Sequence, residues 1–345
     1  MVRLNALEQV LFKVQECPVY ARTVQCGDSA GVRVAGKKAL VRADTGAVLG
    51  IVGQSYRVVP NAEALQLGRE CAALVFPHTK PNMDQWQVVQ VDAPGTGSYT
   101  YIDLWHDSDK LDFLAQPSVN KSDIYGSFIR VTNSFNGMRA LRFDIGYYRK
   151  VCVNGLILPQ SFVHLSFTHK RGDLPAAIKF QIDRAGLQRM REKFQAQVKA
   201  LSGYAVEPQF MVPLVLAVLQ IHKPKPKPKP KIGAKIASER IWAEAEWTSL
   251  VNTVGQHRDK YVAELGENAY AALNVMTELA SRPPVTSLIQ RDRHGFQKLV
   301  GQWTTAFPEA IAAPGFKLTE HIQQLWGDKP EPAGRKELRQ TPAEA

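Results

Sequence analysis

The chain has few cysteines, and none of them is spaced as a metal or redox pair. Its 345 residues include four cysteines, Cys17, Cys26, Cys71 and Cys152, and no two of them form a CxxC pair. This scatter argues against a disulfide framework and against a cysteine-built zinc site, and it fits a reducing compartment. We therefore expect an intracellular protein.

Long apolar runs are also missing. No stretch approaches the roughly 20 uncharged apolar residues that a membrane-spanning helix needs. The N-terminal sequence MVRLNALEQVLFKVQE has acidic residues among its apolar ones and no small-residue cleavage pattern. We expect neither a signal peptide nor a membrane partner.

Several catalytic and nucleotide-binding motifs are absent as well. The sequence contains no Walker P-loop, no GxGxxG after a strand and no HExxH. One dense acidic cluster spans Asp103 to Asp112, and its Ser and Asp residues suit the turn that must end the strand-like SYTYIDLW. The open alternative is a Mg²⁺ site of a nuclease that uses Asp103, Asp107 and Asp109. We favour the turn, and we expect a protein that is not an enzyme and needs no cofactor or metal.

Positive charge is what the sequence has in excess. The formal net charge is +11, and residues 121–200 hold 14 basic against 5 acidic residues. A field concentrated in one region is typical of a protein with a polyanionic partner. The alternative is a solvated basic surface that only aids solubility.

The order of the predicted elements indicates an α+β fold, with a mainly antiparallel sheet in the first half followed by packed helices. Residues 1–222 are predicted to form a strand-rich basic domain, closed by an amphipathic helix over DRAGLQRMREKFQAQVKALSG. Residues 223–232, with four Lys-Pro repeats, predict an extended linker or loop that could also lie along phosphates. Residues 233–326 predict a helical region packed on the first part, and the polar residues 327–345 a disordered tail.

Two asparagines give local predictions. Asn61 precedes the helical pattern of AEALQLGRECAALV and is predicted to cap that helix. Asn136-Gly137 is the strongest short hairpin signal in the sequence. A two-residue loop there divides the flanking side chains between two faces. One face would carry Phe128, Arg130, Thr132, Arg139, Leu141 and Phe143, and the other Val131, Arg142 and Asp144.

This hairpin, within GSFIRVTNSFNGMRALRFDIGYYRKVCVNG, supplies the candidate nucleic-acid-binding residues. Guanidinium groups bind phosphates, and tyrosine rings stack on the bases of a single strand without sequence preference. The alternative is that Arg142 pairs with Asp144 and that the tyrosines belong to the core. The phosphate candidates are Arg130, Arg139, Arg142, Arg149 and Lys150, with Lys170 and Arg171 as an extension, and the stacking candidates are Tyr147 and Tyr148.

The same segments carry a resemblance to a known family. GQSYRVVPNAEAL, VTNSFNGMRALRFDIGYYRKVCVNGL, LSFTHKRG and NAYAALNVMTELAS follow one another in the order of that family. The chain resembles the uncharacterised phage/plasmid-like protein family with domain of unknown function 932. The resemblance implies a mobile-element protein in the cytoplasm of a bacterial host cell. The central motif is filled by Asn133, Ser134, Gly137, Arg149, Cys152, Asn154, Gly155 and Leu156.

The strand-then-helix order and the basic hairpin are also similar, at fold level, to the Red-beta class of single-strand-annealing proteins. This similarity implies a homo-oligomer that holds single-stranded DNA in a basic groove without ATP. We therefore predict a protein that binds single-stranded DNA and promotes annealing or recombination. Two alternatives stay open: a protein that interacts with host or phage recombination or defence proteins and counters a host defence factor, and the metal-dependent nuclease.

Overall fold

The computed structural model describes most of the chain. The predicted linker lies outside the described residues except for Lys223 and Pro224, and the predicted tail except for Gly327. No helix in the described ranges is long and apolar enough to cross a membrane. The described residues are 3–22, 31–76, 79, 82, 84–108, 111–114, 122–149, 154–157, 165–167, 184–224, 235–289 and 291–327.

Within these ranges the strands form two antiparallel sheets. They are β1 (Arg3–Leu4), β2 (Val14–Ala21), β3 (Val32–Arg42), β4 (Val48–Gly53), β5 (Gln87–Pro94), β6 (Tyr99–Trp105), β7 (Leu111–Leu114), β8 (Ser122–Ser134), β9 (Leu141–Arg149), β10 (Asn154–Ile157) and β11 (Leu165–Phe167). The large sheet has the order β1-β5-β6-β8-β9-β10, with β7 paired to β8 and β11 to β9. The small sheet has the order β2-β3-β4. The antiparallel pairing of β3 with β4 forms a hairpin around the Thr45-Gly46 turn.

Most helices follow the strands, which confirms the predicted α+β fold. They are α1 (Leu7–Val10), α2 (Asn61–Val75), α3 (Arg184–Gly203), α4 (Pro208–Val218), α5 (Lys235–Leu265), α6 (Ala269–Ser281), α7 (Arg293–Ala312) and α8 (Leu318–Gly327). The bounds of α3 agree with the predicted amphipathic helix. Its apolar residues Met190, Phe194, Val198 and Leu201 are buried as their spacing requires.

One hydrophobic core joins the large sheet to the helices. Helix α2 lies on the face that carries Leu104, Val131 and Phe143, since all three side chains are close to Gly68. Helix α3 stacks the ring of Phe194 on Tyr147, with ring centroids 4.4 Å apart. Helix α6 places the hydroxyl of Tyr270 3.0 Å from that of Tyr125. The helical region after residue 235 therefore shares its core with the strands.

Asn61 does not cap α2, so that prediction is wrong. Pro60 is the N-cap, and Asn61 is the first helical residue. The Asn61 side-chain amide donates to the carbonyl of Val10 at 2.8 Å, and its oxygen accepts from the Asn133 amide at 2.8 Å. These long-range hydrogen bonds use the polar atoms that capping would have used. They join the N-terminal segment, α2 and β8.

The loop between β8 and β9 is longer than predicted, and this changes the register of the hairpin. Thr132 lies opposite Arg142, and Arg130 lies opposite Asp144. A two-residue loop would have placed Thr132 opposite Leu141 instead. The difference of one residue moves every β9 side chain to the other face of the sheet. Arg142 and Asp144 therefore share the face of Arg130, and the predicted division of faces is wrong.

Local and tertiary contacts together hold this longer loop. The Asn136 side-chain oxygen accepts hydrogen bonds from the Met138 amide at 3.0 Å and the Ser134 hydroxyl at 2.7 Å. Gly137 has a φ of +71°, a left-handed conformation that glycine adopts without strain. Phe135 is fully buried against the small sheet. The phenylalanine must leave the hairpin to reach that core, and so the loop widens.

The first prediction concerns the close approach of α2 to the sheet at Gly68. An added Cβ there would lie 2.4 Å from Cγ2 of Val131. We expect Gly68→Ala to lower the free energy of unfolding by about 1–3 kcal/mol, because overpacking outweighs the better helix propensity of alanine. Gly255→Ala in α5 is the matched control, since nothing lies within 4 Å of its Cβ position. The control should gain up to about 1 kcal/mol. Urea unfolding of both variants checks this, and a stabilised Gly68→Ala protein would contradict the packing described.

Candidate functional site

Asp103 and Arg130 form a fully buried ion pair in the large sheet. Asp103 on β6 lies directly opposite Arg130 on β8. The Arg130 guanidinium donates from Nε and Nη2 to the two carboxylate oxygens, at 2.6 Å each. Neither side chain has any exposed surface. This bidentate geometry is the arrangement in which a buried ion pair offsets most of its desolvation cost.

Two further donors complete the coordination of Asp103. Arg293, the first residue of α7, donates from Nη2 to Oδ2 at 3.0 Å, and the Tyr148 hydroxyl donates to the same oxygen at 2.5 Å. Burial alone would raise the pKa of Asp103, but the charges of Arg130 and Arg293 outweigh it and lower that pKa. Burial, together with the charge of Arg130, lowers the pKa of Arg293. The carboxylate stays ionised and joins β6, β8, β9 and α7.

His294 extends this buried cluster as a neutral ring. It stacks on Tyr101 with ring centroids 4.7 Å apart and an interplanar angle of 9°. Its Nδ1 lies 3.4 Å from Nη1 of Arg130. Burial, reinforced by the charge of Arg130, lowers the pKa of His294 to about 3.

Asp103 is not available as a metal ligand. Both of its oxygens accept hydrogen bonds from Arg130, and Oδ2 also accepts from Tyr148 and Arg293. Asp107 is exposed, and Asp109 lies outside the described residues. In the part of the chain that the structure describes, no three His, Cys, Asp or Glu side chains are grouped as metal ligands. The nuclease alternative therefore loses the first of its three proposed residues.

The structure places four predicted nucleic-acid-binding residues in the interior: Arg130, Tyr147, Tyr148 and Arg149. Arg149 pairs through Nη2 with Oε1 of Glu264 on α5 at 2.5 Å. The rings of Tyr147 and Tyr148 stack on Phe194 and Phe128, at centroid distances of 4.4 and 4.2 Å. In this fold a surface phosphate or base cannot contact these four side chains. Tyr147 and Tyr148 therefore belong to the core, which is the alternative to base stacking stated in the sequence analysis.

Arg139 and Arg142 lie at the solvent-accessible end of the same face. The Arg139 side chain is 35% exposed, and its guanidinium lies over the ring of Tyr99, 4.4 Å from the centroid. It also donates to the Tyr101 hydroxyl and lies 3.7 Å from Asp292. Arg142, 22% exposed, donates to Asp144 at 2.9 Å. The remaining candidates, Lys150, Lys170 and Arg171, lie outside the described residues.

Lys298 is a cation of this surface that sequence reasoning missed. It lies one helical turn beyond His294 on α7, on the same side of the helix. It is half-buried and makes no ion pair within the described ranges. Burial, and then the positive charges of Arg142 and Arg139, lower the pKa of Lys298. No local signal links Lys298 to Arg142, because 155 residues lie between them in the sequence.

We call Arg139, Arg142 and Lys298 the cation cluster. After burial, the positive charges of Arg142 and Arg139 lower the pKa of Lys298, so both arginines disfavour its charged form. An anion bound near these groups would favour the charged form of Lys298, and the arginines could donate to it in pairs of parallel hydrogen bonds. The cluster can therefore hold a phosphate or a carboxylate.

Comparison with known proteins gives a family match. The family described as Domain of unknown function (DUF932) matches residues 48–294, which include α2, β5 to β9 and the buried ion cluster up to His294. No curated protein and no solved structure matches the chain. The comparisons therefore lend no support to the similarity with the Red-beta class.

A prediction for Asp103 follows from its four donors. Asp103→Asn leaves Arg130 and Arg293 buried without a counter-charge, so the free energy of unfolding should fall by about 3–5 kcal/mol. Tyr148→Phe is the matched comparison, because it removes only one of the donors to Asp103 and should cost about 1–2 kcal/mol. Urea unfolding at neutral pH measures both. If Asp103→Asn lowers the free energy of unfolding by less than Tyr148→Phe does, the charge of Asp103 does not stabilise the buried cluster.

A second prediction concerns acid stability. The pKa of His294 is about 3 in the folded chain and near 6.5 when unfolded, so the unfolded chain binds more protons between those values. Stability should therefore fall as pH decreases from about 6.5 towards 3, by up to about 1.4 kcal/mol per pH unit. His294→Phe keeps a ring for Tyr101 to stack on but cannot titrate. Urea unfolding at several pH values should show a shallower decline for this variant, and an unchanged slope would contradict the burial of His294.

Proposed function

The chain belongs to the DUF932 family, and on that premise we propose that it binds single-stranded nucleic acid through the cation cluster. We further propose that it acts on phage or plasmid DNA as a homo-oligomer that promotes strand annealing or recombination without ATP. The observation that carries the proposal is the pair of partly exposed guanidinium groups of Arg139 and Arg142, and the charges of both also lower the pKa of the half-buried Lys298.

The chemistry of the cluster suits phosphates. Arg139 and Arg142 retain partial exposure, so their guanidinium groups can exchange or share present partners with a phosphate oxygen. Neutralising phosphates with such groups supplies most of the affinity of non-specific nucleic-acid binding. The charges of Arg130 and Arg149 are committed to buried ion pairs and do not add to this surface.

A single strand is favoured over a duplex by the aromatic ring next to the cluster. The Tyr99 ring is partly exposed and lies under the Arg139 guanidinium. Tyrosine rings stack on unpaired bases without sequence preference, and arginine adds a cation–π contribution. Annealing needs neutralised phosphates and aligned strands rather than an energy source, so binding of this kind can support it.

The interaction-protein alternative makes a different prediction for the same surface. A protein that acts only by binding a host defence factor needs no affinity for nucleic acid. A gel-shift series with single-stranded DNA, duplex DNA and RNA separates the two. If the purified protein binds none of these probes, the nucleic-acid proposal is wrong and the interaction-protein alternative remains.

The prediction concerns Arg139, the most exposed of the arginines in the cluster. For the parent protein, the logarithm of affinity for a labelled single strand should fall with the logarithm of salt concentration by about 0.7 per phosphate contact. Arg139→Gln should fold normally, lose about fivefold or more in affinity, and show a slope smaller by about one contact. Fluorescence anisotropy across a salt series measures both quantities.

Lys317→Gln is the matched control for this experiment. It removes one positive charge from an exposed ion pair with Glu320 on α8. Both variants lower the net charge by one, so a general electrostatic effect would weaken them equally. An equal loss of single-strand affinity in the two variants would contradict binding at the cation cluster. So would an affinity of the parent protein that does not change with salt concentration.

A further inference from the structure

The guanidinium of Arg139 is held in place by three groups at the accessible end of the large sheet. Its carbon lies 4.4 Å from the ring centroid of Tyr99, so it covers one face of that ring. Nη1 donates to the Tyr101 hydroxyl, and Nη2 lies 3.7 Å from Oδ2 of Asp292. The Arg139 side chain nevertheless remains 35% exposed, so a ligand can reach it.

The groups that hold Arg139 are themselves fixed by the fold. Asp292 is the N-cap of α7, and its Oδ1 accepts from the Gly295 amide at 2.8 Å. Tyr101 is fully buried, and Tyr99 forms a T-shaped contact with it, with ring centroids 5.7 Å apart. The side-chain entropy of Arg139 is therefore lost when the chain folds rather than when a ligand binds, which favours binding.

The planar shape of the guanidinium gives it a rim and two faces. Its N–H groups lie in the plane, so a group that accepts from them lies at the rim, as the Tyr101 hydroxyl does. Tyr99 covers one of the faces. With that face covered and two rim nitrogens close to protein groups, the opposite face is the largest part of the guanidinium that a ligand can contact.

A flat and neutral ring suits this open face better than a phosphate does. The carboxylate of Asp292 partly neutralises Arg139 and repels an anion that approaches from its side. A nucleobase carries no charge, and its π face is attracted to a guanidinium plane that stacks on it. Bases inside a duplex are covered by their neighbours on both faces, so the ligand that fits is an unpaired base.

We propose that the outer face of Arg139 is the stacking platform for one unpaired nucleobase, in the order Tyr99, guanidinium, base. This assignment rests on the proposed function. A base that approaches the covered face of Tyr99 meets the guanidinium first, so Arg139 rather than the tyrosine contacts it. The charge of Arg139 still acts on the neighbouring phosphates and keeps its part in the salt dependence.

The test compares two labelled oligomers of equal length. One is a single strand of DNA of mixed sequence, and the other is built of abasic tetrahydrofuran units. Both carry the same number of phosphates, so the salt dependence of binding should be the same for both. The parent protein should bind the strand with bases at least about fivefold more tightly, which is the lower end of what one stacked base contributes.

Arg139→Lys separates the plane of the guanidinium from its charge. The ammonium group keeps the charge but has no flat surface, so the preference for bases should disappear while the salt slope stays that of the parent protein. Arg139→Gln should lose the preference and also show the smaller slope. Arg258→Lys is the matched control, because it makes the same exchange in an ion pair with the exposed Asp259 on α5, and it should keep the full preference. Melting temperatures show whether each variant is folded.

The outcomes distinguish a failure of the stacking platform from a failure of the proposed function. If the parent protein binds both oligomers equally, no base stacks on Arg139, and the binding of phosphates remains. This comparison needs no variant. If folded Arg139→Lys protein keeps the preference for bases, the base stacks elsewhere and the assignment to Arg139 is overturned. If neither oligomer binds to the parent protein, the proposed function and the platform are both wrong.

Discussion

The carboxylate of Asp103 is the group on which the arrangement of sheet and helices depends. It accepts hydrogen bonds from Arg130 on β8, Tyr148 on β9 and Arg293 on α7, so three elements meet at one buried charge. A buried charge is costly unless its geometry and partners are complete. The first residue of α7 must therefore dock on the sheet for the cluster to be satisfied, and with it the His294 ring on Tyr101.

This docking divides the charged face of the sheet into two parts. At the buried part, Arg130 and Arg293 share Asp103 and serve the fold. At the accessible part, Arg139 and Arg142 keep some exposure, and α7 adds Lys298 to them. Cations that are held in buried ion pairs cannot bind a polyanion, whereas solvent-accessible cations can. The proposed function depends on this second part alone.

The basic excess of residues 121–200 illustrates why charge counted along a sequence overstates charge on a surface. Three of its arginines have acidic partners outside this segment: Asp103 for Arg130, Glu264 for Arg149 and Asp292 for Arg139. The DUF932 match over residues 48–294 covers β5 to β11 and the start of α7, and so it includes these arginines and all three of these partners. The family match identifies the scaffold, while the balance of charges on it comes from the tertiary structure.

The sequence by itself determined the elements, because periodicity and turn chemistry act over short distances. Met190, Phe194 and Val198 are buried as their helical spacing predicts, and Asn136-Gly137 does mark the turn between β8 and β9. Only the tertiary structure decided the rest. Phe135 had to reach the small sheet, which lengthened the loop and moved Arg142 and Asp144 to the face of Arg130. The tyrosines became core because helix α3 and Phe128 cover them, and Lys298 joined the cluster because α7 docks on Asp103. Such contacts join residues far apart in the chain, and no local pattern encodes them.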